Sequence, residues 1–268
     1  MHRIYYCNNG FQLADSPDGA FWIDMIDPDA SERDLLISKL NIPPMFLEYL
    51  SDDDERPRIE RSDSIVMTII RIPLPNSTPG MPYKTIPLGV ISLPDRRVVT
   101  LCFHRNLLTE DFAEHTRRMK LCIDNAGNFT LRILYAAASW YLHYLKTLTE
   151  DVVGAEKDLE KSVKNNDLMW LMHMQKSLVF FNTSIKGNSM LLERIPKLYC
   201  NDIDNELLED VEIELRQADS TVEIYSNILE GTMDSYSSII SNNVNSVMKR
   251  MTGLSIILMV PTFVASLY

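Results

Sequence analysis

The sequence predicts an α/β protein with three parts in order: an N-terminal mixed-sheet α/β domain, an antiparallel helix pair, and a very long stalk helix that enters a membrane. Three observations predict it. The first ~115 residues carry β-rich runs bounded by Pro, Gly and Asp. From about Phe129 onward the composition turns to Ala, Leu and Lys at helical spacing. The last part of the chain, Met251 to Tyr268, is apolar and uncharged, and Lys249-Arg250 stand immediately before it.

Each element follows from local chemistry. IYYCNNGFQL and AFWIDMI read as strands, each followed by turn residues. SERDLLISKL reads as a helix with Ser31 as its N-cap, broken by Asn41-Ile42-Pro43-Pro44. MFLEYLSDDDE reads as a short helix running into an acidic cluster. SIVMTIIRIPL, IPLGVISLP and RRVVTLCFH are β-rich, and PLPNSTPGMP between the first two is a loop. TLRILYAAASWYLHYLKTLTEDVVGAEKDLEKSV is helical. Asn165-Asn166-Asp167 reads as a break and cap, and LMWLMHMQKSLVFFNTSIKGNSMLLERI returns antiparallel as far as Pro196.

The third helical pattern places Leu208, Val211, Leu215, Ala218, Val222, Tyr225, Leu229, Met233, Tyr236, Ile240, Val244, Val247 and Met251 at steps of three and four. Extended to Tyr268 it is roughly 95 Å long at about 1.5 Å per residue. The expectation is that such a stripe packs on copies of itself, on a partner or in a membrane. The domain expectation is 1–127 for the cytoplasmic α/β domain, 128–200 for the helix pair, 201–250 for the stalk and 251–268 for the start of a first transmembrane helix.

Composition excludes several functions. The net charge is −11, from 26 Lys and Arg against 37 Asp and Glu. Residues 202–234 hold eleven acids and one base, Arg216, so that segment alone contributes −10. Phosphate backbones need the opposite sign, which argues against nucleic acid; cations suit such a stretch. Cys7, Cys102, Cys122 and Cys200 form no CxxC pair and read as free thiols. The five histidines are scattered, with no phosphate-binding loop and no catalytic constellation, so no enzyme is expected. MHRIYYCNNGFQL has no apolar core of a signal peptide, and the expectation is a cytosolic body. The eighteen residues from Met251 reach the lower limit for crossing a bilayer, and the Lys-Arg pair suits a cytoplasmic flank. The competing reading of that run is a buried C-terminal helix.

SNNVNSVMKRMTGLSIILMVPTFVASLY resembles the corresponding stretch of the CorA magnesium/cobalt transporter family. That family typically shows Ser-Asn-x-x-Asn-x-Val-Met-Lys, a Thr, an apolar helix with Pro, and a Tyr before a Gly-Met-Asn signature. Ser241, Asn242, Asn245, Val247, Met248, Lys249, Thr252, Pro261 and Tyr268 match in order. FLEYLSDDDERPRIE resembles the family's Leu-Glu-Asp…Arg-Pro-Lys-x-Glu segment, and Trp22-Ile23-Asp24 its Trp-containing strand. The expectation is a subunit cut just before Gly-Met-Asn, the second membrane helix and its basic tail.

The resemblance implies a divalent cation channel subunit in the inner (plasma) membrane, N-terminal domain cytoplasmic, pentameric at full length, with lipid around its helices. It implies Mg2+ as transported and regulatory ion, with Co2+, Ni2+ and Zn2+ as related cargo. The pore-lining set it implies is Asn245, Met248, Met251, Ser255 and Met259, with Asn242 at the pore mouth. Asn amides would hydrogen-bond a hydrated ion, since Mg2+ sheds water reluctantly, and apolar rings gate by dewetting. Asp210 and Asp234 match its regulatory carboxylates, with Glu48, Asp52 and Asp53 as partners from a neighbouring subunit; Tyr49 stands where the family acid usually sits. Two alternatives stay open: a zinc transporter of the ZntB type, and a non-conducting membrane-anchored oligomeric scaffold or sensor. Read without the resemblance, the Asn residues cap a helix, the Met residues pack a core and the acids solvate a face.

Overall fold

In the computed structural model the described residues are 2–14, 16, 19–76, 80–159, 165–199 and 203–266. Seven strands form one mixed sheet: β1 (His2–Cys7), β2 (Phe11–Leu13), β3 (Trp22–Ile26), β4 (Arg58–Ser62), β5 (Ile65–Pro75), β6 (Tyr83–Ser92) and β7 (Val98–Cys102), in the order β2-β1-β3-β7-β6-β5-β4. Only the β3–β7 pair is parallel. The central strands are buried on both faces, so they read as continuous apolar runs rather than alternations.

Period-2 geometry sorts their side chains. Ile23, Met25, Met67, Ile69, Ile91 and Val99 face α1 (Ala30–Leu40) and α2 (Pro44–Ser51), meeting Leu36, Phe46 and Leu50. Trp22, Ile70, Ile72, Leu88, Val90 and Val98 face the opposite way, onto α3 (Leu108–Met119), α4 (Ala126–Leu159), α6 (Ile195–Leu198) and the start of α7 (Asn205–Ser266). The antiparallel partner of α4 is α5 (Asn165–Leu192).

The structure corrects several sequence expectations. The first run folds as two strands: Asn9 (φ 52°) and Gly10 (φ 100°) turn the chain over. A Cβ on Gly10 would sit 2.5 Å from the Cα of Arg117, so glycine is required there twice over. The cap of α1 is Asp29, not Ser31: Asp29 Oδ1 accepts from the Glu32 amide at 2.8 Å, and Glu32 reaches back to the Asp29 amide. β4 and α3 were not anticipated. Asn165 opens α5, so the triplet expected as a break forms its first turn; the connection at 160–164, Cys200 and Tyr268 lie outside the described residues.

The larger correction concerns α7. Its stripe does not wait for a partner chain. Leu207, Val211, Leu215, Ala218, Val222, Leu229 and Tyr236 are buried by this chain's own α4 and α5. From Ser237 to Arg250 nothing on α7 is buried.

Asp24 is fully buried on β3. Its Oδ1 accepts from Thr100 Oγ1 at 2.7 Å, and that hydroxyl accepts from Trp22 Nε1 at 2.8 Å. Its Oδ2 has no partner among the described residues. Burial pushes the carboxyl up to about 6, with the Thr100 hydrogen bond opposing. A carboxyl that holds its proton more tightly when folded adds stability below its unfolded value near 4. That contribution is lost as pH rises through about 6. Asp24→Asn is therefore expected to gain on wild type, by on the order of 3 kcal/mol, between pH 4 and pH 8. Parallel unfolding profiles for the two proteins in detergent across that range would contradict it.

Candidate functional site

Two regions hold the expected site residues: the loop after α2 and the solvent-facing sides of α7. The loop is fixed from below by Arg71, a buried cation on β5. Its Nη1 donates to the carbonyls of Asp53 and Glu55, the latter at 3.0 Å, and its Nη2 donates to Thr85 Oγ1 at 2.8 Å. The backbone of Arg71 is held in turn by both helices of the pair. Asn188 on α5 accepts from its amide at 3.0 Å and donates to its carbonyl at 2.8 Å, and the Tyr141 hydroxyl on α4 donates to the same carbonyl. Loop, sheet and helix pair thus share one polar node in an apolar interior.

Within the loop, Asp53 is already engaged. Its carboxylate pairs with His104 Nε2 and, at 3.3 Å, with Lys84 Nζ. Burial alone would raise its pKa, but these two cations hold it below the usual value. Asp52 Oδ1 accepts from the Asp54 amide at 2.9 Å, and Glu48 is exposed on α2. Tyr49, in the position of the expected acid, lies under Arg58, whose guanidinium carbon is 4.5 Å from the ring centroid. His104, Lys84 and Arg71 were not anticipated; they are remote in sequence and adjacent only through the β5–β6–β7 register.

On α7, the rotation set by the buried stripe sorts everything else. At about 100° per residue, the faces not covered by α4 and α5 fall into two sets. Ile213, Ile224, Ile228 and Ile239, each 43–55% exposed, share one face, and Asp210 lies on it. Glu212, Asp219, Glu223, Glu230 and Asp234 share the other. Continued along the helix, that acidic side carries Asn245, Met248, Ser255 and Met259, with Met251 at its edge. Asn242 falls nearer the isoleucine side. All six of these distal residues are exposed, and neither Asn amide is hydrogen-bonded among the described residues. Ser255 and Thr252 return their hydroxyls to the carbonyls of Met251 and Met248, at 2.9 and 2.8 Å, which satisfies them in apolar surroundings.

Among the described residues no three His, Cys, Asp or Glu side chains converge as metal ligands within one chain. Asp210, Asp234 and the 48–53 acids therefore do not make a site with one another inside a single subunit. The distal end of α7 is the one helix among the described residues long and apolar enough to cross a membrane. No described residue covers it: Leu258 is 69% and Met259 72% exposed.

Residues 17–268 match the family model described as CorA-like Mg2+ transporter protein. The chain belongs to that family. The cobalt/magnesium transport protein CorA of Methanocaldococcus jannaschii is 24% identical over 255 residues, which cover 92% of this chain and 78% of that protein. The complete structure of the CorA magnesium transporter from the same organism superposes with a TM-score of 0.83 at 21% identity, over 100% of this chain and 86% of that one. The ZntB cytoplasmic domain from Vibrio parahaemolyticus shares the fold more distantly, with a TM-score of 0.66 at 11% identity, over 89% of this chain and 98% of that domain.

Replacing Arg71 by Met keeps an apolar stem and removes every side-chain donor. We expect a loss of about 2–4 kcal/mol, because the loop carbonyls are left unpaired, and faster amide exchange at 53–55. Unchanged exchange at those amides would show that the loop does not depend on Arg71.

Proposed function

We propose that this member of the CorA family is the subunit of a homopentameric Mg2+ channel that also carries Co2+. It sits in the inner (plasma) membrane with the α/β domain in the cytoplasm, where Mg2+ regulates it. The observation that carries this reading is the division of α7 into three faces. One is buried by its own chain, one is uncovered and carries four exposed isoleucines with Asp210, and one is acidic and then lined by Asn and Met. A helix with these faces suits a ring in which the isoleucine side meets a neighbour and the acidic side meets the axis.

The chemistry follows from the ion. Mg2+ is small and hard and keeps its water. Carboxylates of the acidic face raise the local concentration of hydrated cations, and their field is strongest where several copies converge. Asn245 then offers a neutral carbonyl oxygen from each subunit to the water shell, which orients the ion without trapping it. Met248, Met251 and Met259 above it form apolar rings that stay dry when narrow, so a small rotation or spread of α7 switches conduction. Lys249 and Arg250 anchor the cytoplasmic side. Magnesium is favoured over zinc as cargo by the family model and the curated relative, both of which are named for magnesium transport.

Regulation is assigned to the isoleucine side. Asp210 projects there, and Glu48 and Asp52 are the carboxylates of the α2 end free to meet it from a neighbour. A bound Mg2+ cancels their repulsion and closes the ring; its loss loosens the interface. Asp53 joins only after giving up His104 and Lys84.

Millimolar Mg2+ is expected to protect the protein from proteolysis, and Asp210→Asn to weaken that protection. Identical digestion with and without Mg2+ in both proteins would count against a regulatory site. Asn245→Leu removes the carbonyl, and Asn245→Asp adds one charge per subunit that holds the ion too long. Both should lower Mg2+ flux into liposomes by at least about tenfold, while Lys249→Arg leaves it near wild type. Wild-type flux through Asn245→Leu would place Asn245 outside the conduction path.

A further inference from the structure

A cleft of about 670 Å3 lies between the β4 edge of the sheet and the outer face of α5. Four cations line it in a protein whose net charge is −11: Arg56, Arg58, Lys186 and Arg194. Arg58 is committed to Glu55 and Glu60. Arg56, Lys186 and Arg194 have no carboxylate partner among the described residues, although acids outnumber bases in the chain. Like charges left unpaired around one concavity raise each other's energy, and a polyanion seated there removes that cost.

The α5 side of the cleft runs Asn182, Lys186, Met190 and Arg194 at one-turn steps, so Asn182 lies at one end and Met190 between two cations. Met190 is 63% exposed on its wall. Asn182 also lines it, and its Oδ1 is shielded from water yet has no hydrogen-bond partner among the described residues. An acceptor of this kind costs free energy unless a donor reaches it. Phosphate supplies no donor when ionised, whereas an amino group or a sugar hydroxyl does. Gly187 sets the depth: a Cβ there would lie 2.7 Å from Pro57 Cγ, so the close approach of α5 to the loop before β4 depends on glycine. The volume is within the range that encloses small-molecule ligands.

We propose that this cleft binds a nucleoside polyphosphate in its metal-free form, phosphates on Arg56, Lys186 and Arg194 and the nucleoside at the Asn182 end. The three side chains supply the positive charge that Mg2+ supplies to the nucleotide in solution, so the metal-free form is the one selected. The site reads the other side of the cation balance: free nucleotide rises when Mg2+ falls. It is separate from the pore and from the carboxylates of α7.

The test is calorimetric titration of the whole protein in detergent, in EDTA, with ATP and with tripolyphosphate. Saturable ATP binding at one site per subunit is expected. Lys186→Glu with Arg194→Glu should weaken it by more than about tenfold, and the milder pair Lys186→Gln with Arg194→Gln by less. Asn182→Leu should weaken ATP several-fold, on the order of one lost hydrogen bond, and leave tripolyphosphate unchanged. Equal weakening of both ligands by Asn182→Leu would remove the nucleoside from the proposal. Absence of saturable ATP binding by wild type, or binding unaffected by either charge pair, overturns it. If wild type binds no ATP and the charge reversals instead break the subunit assembly, the cleft belongs to the acidic α7 of a neighbouring chain.

Discussion

The rotation of α7 about its own axis is the constraint on which the functional reading depends. It is fixed by burial of Val211, Leu215, Ala218, Val222 and Leu229 against α4 and α5, each at 1% exposure or less. Burying a side chain of that size contributes about 1.5–3 kcal/mol, so turning the helix by one residue would cost several such terms together. With one face fixed, the others have no freedom. The isoleucines must point out of the subunit, and the acids must point a third way, in line with Asn245 and the methionines.

A second constraint links the sheet to this helix. Arg71 holds the 53–55 loop through side-chain donors, while its backbone is clamped by Asn188 and Tyr141 from the two helices that bury α7. Buried polar groups of this kind are costly unless all are satisfied, and here the guanidinium finds carbonyl and hydroxyl acceptors without a carboxylate. The acidic loop is thus carried on the same rigid body as α7. In the proposed reading, a cation that draws a neighbour's α7 toward that loop would act on two packed units.

How much of this was legible in the sequence depends on the range of the interaction. The apolar strand runs and the three-four stripe of α7 are local patterns and are legible directly. β4 was hidden because Arg58, Glu60 and Arg61 make an edge strand look like a charged loop, a common device for edges. The Ser31 cap failed against Asp29 two residues earlier, which competes with the same chemistry. The stripe is legible but its partner is not: periodicity shows that a face is buried and not by whom. The isoleucine face is hidden in the sequence because its spacing of eleven, four and eleven is interrupted by polar residues. His104 and Lys84 beside Asp53 could not be found at all, since only the sheet register brings them together.

The most direct measurement of the central claim is site-specific photo-crosslinking from adjacent positions on α7 in the assembled protein. A photoreactive side chain at Ile228 should give adducts between subunits, and one at Leu229 should give adducts within its own chain only. The same contrast is expected between Ile224 and Val222. Adducts between subunits from Leu229 and Val222, with none from Ile228 and Ile224, would mean that α7 turns a different face to its neighbours, and the division of the helix into three faces would not stand.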